Sequence, residues 1–160
     1  MSRYDNVEKR MSSQNKSEEC FEAYLQAKEY NYHQIGFQKQ PTQKEWDKLP
    51  FIMRYTPDFV VWAKNTPKFY EVKAAKDTFL FKPTPHKYYV QWSKDRDIPV
   101  IYTLCHWSHI YEIGYAFIFV HISKMEQVAD KYELEFVEDV WAKQIPIQDL
   151  IDNCIAYIKG

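Results

Sequence analysis

Two runs, DFVVWA (58–63) and KFYEVKAA (68–75), set charged side chains into sequence that otherwise reads as buried strand. β-Branched and aromatic residues fill both runs, as a packed, pleated surface favours. Lys64-Asn65-Thr66-Pro67 between them is a turn signal, so the pair predicts a β-hairpin. Period-2 alternation puts Glu71 and Lys73 on one face of the second strand and turns Val72 the other way, toward packing. Asp58 opens the first strand. Charges beside a core are costly unless something compensates them. These three side chains therefore constrain the fold and the chemistry together.

Two carboxylates brought close repel each other, and one tends to keep its proton. A hard divalent cation removes that conflict. Mg²⁺ or Mn²⁺ prefers oxygen ligands and retains several waters. Asp58 and Glu71 are the candidate metal ligands, and the carbonyl of Val72 is a third. A metal held this way contacts a phosphate oxygen and polarises a water. Lys73 would stand beside that water and stabilise charge growing on the phosphate. It is not assigned as a general base, because a lysine near its ordinary pKa is protonated at neutral pH. The same hairpin is compatible with a structural salt bridge, and the residues alone leave that alternative open.

The rest of the chain bounds the setting. Its 160 residues suffice for one domain with a real core. Glycine occurs only three times, and neither GxGxxG nor GxxxxGK[ST] is present, which disfavours a nucleotide-binding loop. Cys20, Cys105 and Cys154 are far apart with no CxxC, so zinc and disulfide frameworks are disfavoured. Cys105, His106 and His109 fall short of a tetrahedral metal site. Trp107 with Tyr111 could stack on an unpaired base, although a packing role is preferred. Residues 1–16 are polar and read as a flexible tail, leaving 17–160 as the domain. The N-terminus lacks a signal-peptide core. The longest apolar run, IGYAFIFV, is too short to span a bilayer as a helix. The expectation is a soluble, cytoplasmic protein with no membrane partner.

Along the chain, SEECFEAYLQAKEY predicts a helix capped by Ser17, with Phe21, Tyr24 and Leu25 at helical spacing and Glu18 and Glu22 at the rim of its apolar face. NYHQIGFQK predicts a strand, and TQKEWDKLP a loop or short helix. TPHKYYVQWSKDR predicts a helix with Tyr88, Tyr89 and Trp92 as its stripe. IPVIYTLC and YAFIFVHI predict strands. IPIQDLIDNCIAYI predicts a final helix that buries Ile147, Leu150, Ile151, Cys154, Ile155 and Ile158. The order gives an α/β domain around a mixed sheet. Net charge is -1, so any nucleic-acid face must be local. Lys64, Lys68, Lys73, Lys76, Lys82, Lys87, Lys94 and Arg96 make the segment around the second strand basic, and Lys76 and Lys87 are candidates for phosphate contact.

YTPDF followed by FYEVK resembles the signature of the PD-(D/E)xK nuclease superfamily, with Pro57-Asp58 as its PD and Glu71-Val72-Lys73 as its ExK. Within it the chain looks most like small phage and transposon-type endonucleases and Holliday-junction resolvases. The likeness covers roughly Ser17 to Ala75. It implies a restriction-endonuclease-like α/β single domain, with a central mixed β-sheet flanked by helices. It also implies Mg²⁺- or Mn²⁺-dependent hydrolysis of DNA phosphodiesters, on branched DNA or on phage or host DNA. Asp58 and Glu71 then correspond to metal ligands and Lys73 to the residue at the water or transition state. Glu18 corresponds to the acidic residue of the first helix, with Glu22 as its rival. Gln91 falls where some relatives place a residue near the scissile phosphate. A homodimer, and a host-cell cytoplasmic location if the protein is viral, follow by analogy only. Ala74 and Ala75 stand where such nucleases often have a glycine or another small residue. Two alternatives remain: a nuclease-fold nucleic-acid-binding or structural protein without the chemistry, and a nuclease acting on RNA.

Overall fold

The computed structural model describes residues 16–37, 39–107 and 115–159. The expectations for residues 1–15 and for His109 and Tyr111 lie outside the described residues. Helix α1 (residues 16–27) leads into β1 (Asn31–Gln34). Two short helices follow, α2 (Gln43–Lys48) and α3 (Phe51–Arg54). Thr42 and Glu45 form a reciprocal capping box that starts α2. The hairpin forms as β2 (Phe59–Ala63) and β3 (Thr66–Ala75). Its two tip residues, Lys64 and Asn65, take φ of 52° and 65°. Paired positive φ values suit the right-handed twist of a two-residue hairpin loop.

Next come β4 (Thr78–Phe81), α4 (Pro83–Arg96) and β5 (Val100–Trp107). Pro83 begins α4, where its missing N–H costs nothing. The chain continues through β6 (Tyr115–His121), α5 (Ile122–Ala129), β7 (Glu135–Val137), β8 (Val140–Pro146), α6 (Ile147–Asp152) and β9 (Ala156–Lys159). Six strands form one sheet in the order β1-β2-β3-β5-β6-β9, and β4-β8-β7 form a smaller one. The β3–β5 pair is parallel and its neighbours are antiparallel, so the large sheet is mixed. Both of its faces are covered. On one, Phe21 and Leu25 of α1 pack on Phe59, Val61, Val72, Ile101, Phe117 and Phe119. On the other, helices α4 to α6 and the small sheet pack on Val60, Phe69, Tyr102, Leu104, Ile118 and Val120.

Two local expectations are corrected. The predicted final helix ends at Asp152, and the chain turns into β9, which pairs antiparallel with β6. Ile147 and Leu150 are buried as expected, but Ile155 is 59% exposed and Ile158 joins the α1 side of the sheet. The edge of β6 presents backbone groups that need partners. Ile155 N–H already donates to Phe119 O at 2.7 Å as the strand begins. Ser17 does not cap α1, because Lys16 is already helical. Ser17 is buried instead and hydrogen-bonds the Cys105 thiol. Among the described residues, no helix is long and apolar enough to cross a membrane.

Candidate active site

The hairpin register fixes the site. Phe59 pairs with Tyr70, and the residues run in antiparallel order from there to Ala63 and Thr66. One step outward, Asp58 stands opposite Glu71. Cross-strand partners point to the same face of a sheet, here the face that carries Val60 and Tyr102 and is covered by α4. Asp58 is clamped by its own backbone, since its carbonyl accepts from the N–H groups of Ile35 at 2.9 Å and Gly36 at 3.1 Å. Its side chain closes the end of the ladder, with Oδ2 accepting from the N–H of Val72 at 2.8 Å. In an extended strand the N–H and C=O of one residue point to the same side, so the Val72 carbonyl faces the Asp58 edge too.

Glu71 is 3% exposed. The Tyr89 hydroxyl donates to its Oε1 at 2.6 Å, and Lys73 Nζ lies 2.7 Å from the same oxygen. Oε2 is buried with no hydrogen-bond partner. Lys73 keeps about a third of its side chain in contact with solvent (35%). Burial pushes its ammonium down, but the charges of Glu71, Asp58 and Glu18 outweigh that, and its pKa rises above the usual lysine value. Asp58 moves well above the usual carboxylate range, through burial first and then the charge of Glu71. Lys73 opposes the rise. Glu18 adds to it by charge and by a hydrogen bond between the two side chains.

The four sequence-predicted residues Glu18, Asp58, Glu71 and Lys73 thus meet in one place. Glu22 is engaged elsewhere, accepting from the Tyr32 hydroxyl at 3.0 Å. Lys76, Lys87 and Gln91 are exposed on the surface. Lys87 and Gln91 are four residues apart on α4 and share a side of it, with Lys87 Nζ 5.7 Å from the centre of the Tyr88 ring. Cys105 lies on the opposite face of the sheet, and burial pushes its thiol up to about 12. That excludes it as a nucleophile at neutral pH.

Three carboxyl groups against one ammonium leave excess negative charge in a partly buried setting. Together with the unpartnered Glu71 Oε2, that imbalance fits a hard divalent cation. Among the described residues, no three or more His, Cys, Asp or Glu side chains are spaced to hold a metal by themselves. One or two carboxylates completed by water and substrate oxygens is the ordinary mode for Mg²⁺, and Asp58, Glu71 and the Val72 carbonyl supply such a donor set.

Two residues of the site escaped the sequence reading. Tyr89 looked like part of an apolar stripe, and its only signal was that a buried tyrosine hydroxyl needs a partner. Gly36 lies against Asp58, and a Cβ there would stand 3.0 Å from Asp58 Cα and 3.1 Å from Oδ1.

The sequence matches no family model and no curated protein. Among solved structures, the chain is similar to Hjc of Archaeoglobus fulgidus, a Holliday junction resolvase from an archaeal hyperthermophile. The TM-score is 0.52 at 13% identity, over 84% of this chain and 89% of that one. The shared feature is the fold, a restriction-endonuclease-like α/β architecture with a central mixed sheet flanked by helices.

Proposed function

We propose that this chain is a PD-(D/E)xK nuclease that hydrolyses DNA phosphodiester bonds with Mg²⁺ or Mn²⁺. The observation that carries the reading is the position of Asp58 directly across from Glu71, with Lys73 2.7 Å from Glu71 Oε1 and Oε2 buried without a partner. The resolvase-like fold supports it. Asp58, Glu71 and the Val72 carbonyl would hold the metal, which when bound supplies Lewis-acid polarisation of the phosphate and of a water.

The chain's own groups do the rest. Tyr89 and Lys73 occupy Oε1 of Glu71 and so fix which oxygen is left for the pocket. Lys73, held cationic by the surrounding carboxylates, cannot take a proton. It donates to the attacking water or to a non-bridging phosphate oxygen and stabilises the charge that develops there.

Asp58→Ala and Glu71→Ala are expected to abolish both cleavage and Mn²⁺ binding by titration calorimetry, with circular dichroism unchanged. Lys73→Ala is expected to lower cleavage by about 10²- to 10³-fold while the Mn²⁺ heat persists. Asp58→Ala protein that cuts as fast as the parent would overturn the assignment. A parent that gives no Asp58-dependent heat would mark a nuclease fold without the chemistry. Parallel assays on duplex, branched and single-stranded DNA and on RNA fix the substrate, because a phosphate-centred site reads neither base nor 2′-hydroxyl.

A further inference from the structure

The segment between β1 and β2 places an ordered set of aromatic and cationic side chains beside the candidate site. Phe51 of α3 stacks on Tyr88 of α4, with centroids 6.1 Å apart and planes 7° from parallel. Tyr55 stacks on the same ring at 5.2 Å and 13°. The Arg54 guanidinium lies 4.4 Å from the centre of the Phe51 ring. It is held there because its Nε and Nη2 donate to the carbonyls of Leu49 and Asp47 at 3.1 and 3.0 Å. Lys87 Nζ approaches the Tyr88 ring. The Trp92 indole N–H, donating to Ile52 O at 3.0 Å, fastens α3 to α4. Phe51 nevertheless remains 55% exposed and Met53 45%.

A core contact would bury these groups, and an ordinary solvated surface would not align them. Near-parallel flat rings, with a guanidinium held beside them as a fixed positive charge, are what an unpaired base and its phosphate need. The local charge is complementary to that ligand. Lys44, Lys48, Arg54 and Lys87 outnumber the neighbouring acids of α2, Glu45 and Asp47. Position favours it as well. Tyr55 precedes Asp58 by three residues, so their Cα atoms lie within about 11 Å, a span of about three stacked nucleotides. Tyr88 adjoins Tyr89, whose hydroxyl bonds Glu71.

We infer that the Phe51–Arg54–Tyr55–Tyr88 cluster, with Lys87, is a stacking platform for an unpaired nucleotide next to the cleaved phosphate. The substrate class is therefore DNA with a splayed or branched segment rather than uninterrupted duplex. A second copy of the chain fits the surface less well, since two-fold self-association would bring its fixed cations together. The inference rests on the nuclease reading.

The test is fluorescence anisotropy without divalent metal, so that no cleavage intervenes, on forked DNA with short unpaired arms and on the same sequence fully paired. Wild type is expected to bind the fork more tightly. Phe51→Leu keeps apolar bulk but removes the ring face, and is expected to weaken fork binding about tenfold while leaving the paired duplex unchanged. Phe51→Trp should restore it, and Arg54→Gln should lower it independently. Equal wild-type affinity for fork and duplex, unchanged fork binding by Phe51→Leu, or equal loss on both DNAs would overturn the platform and leave the nuclease reading standing. So would sedimentation showing a wild-type dimer that Phe51→Leu converts to monomer, because the surface would then be a contact between copies. Wild type that binds none of these DNAs would overturn the nuclease reading itself.

Discussion

Glu71 has one oxygen with two partners and one with none, and Asp58 is held by three hydrogen bonds, two to its carbonyl from Ile35 and Gly36 just past β1 and one to its carboxylate from β3. A site fixed this tightly is sensitive to tenths of an ångström, and Gly36 is where that sensitivity is easiest to expose. Gly36→Ala adds a methyl group 3.1 Å from Asp58 Oδ1, so the carboxylate or the β1 end must shift. Overpacking of this kind costs about 1–3 kcal/mol. The expected outcome is a folded protein with a modestly lower urea midpoint, a weakened Mn²⁺ titration and a larger loss of cleavage. Wild-type Mn²⁺ affinity in Gly36→Ala would show that Asp58 is not positioned from that side. At this scale the sequence was informative where strand alternation applied. Asp58, Glu71 and Lys73 are readable because period 2 dictates their face. Tyr89 and Gly36 are not, because their roles depend on contacts between elements far apart in the chain.

Helix α1 shows what a whole element contributes. Its Phe21 is fully buried among Phe59, Tyr70 and Phe117, with ring centroids 5.3, 5.4 and 5.9 Å away. Glu18 lies one turn earlier and reaches Asp58. Phe21→Ala should cost about 3–5 kcal/mol, measurable by urea unfolding. Cleavage, corrected for the folded fraction, should fall further as Glu18 loses its support. If the corrected activity is unchanged, α1 is a lid on the core and not part of the site. The hairpin, α4, β5 and β6 were all legible, since each follows a single period over its length. The C-terminal stretch was not. Ile147, Leu150, Ile151, Cys154, Ile155 and Ile158 satisfy helical spacing, yet AYIK alternates equally well. The choice fell to the unpaired edge of β6, a partner more than thirty residues away in the chain. The small sheet was missed for the same reason, because β4 finds β8 only across α4, β5, β6, α5 and β7.

Over the whole molecule, the covering layers are joined to the large sheet by polar groups as well as apolar ones. His86 of α4 shares a 2.8 Å hydrogen bond between Nδ1 and the Tyr102 hydroxyl of β5, while its Nε2 is buried without a partner. Burial pushes its pKa below the usual histidine value, against the pull of Glu126 from α5 and Asp130 just past its end. The native state therefore binds that proton less readily than the unfolded chain. Stability from this group is fully present above about pH 6.5 and is lost as pH falls from there toward the depressed native value. The urea midpoint should drop between pH 7.5 and 5.5, and His86→Gln should flatten that drop; an identical slope in the variant would assign the acid sensitivity to other groups. The run of basic residues from Lys64 to Arg96 was visible from sequence, but which surface it forms depends on the topology. Topology also governs how such a chain can change over time. The two acids of the hairpin face each other because equal lengths of strand lead from the Lys64–Asn65 tip to each of them. Residues added at the tip, or one on each arm, leave the acids opposed, whereas a single residue added to one arm sets them on opposite sides. Descendants of this hairpin can therefore lengthen by whole rungs of the ladder and stay competent, but not by half a rung.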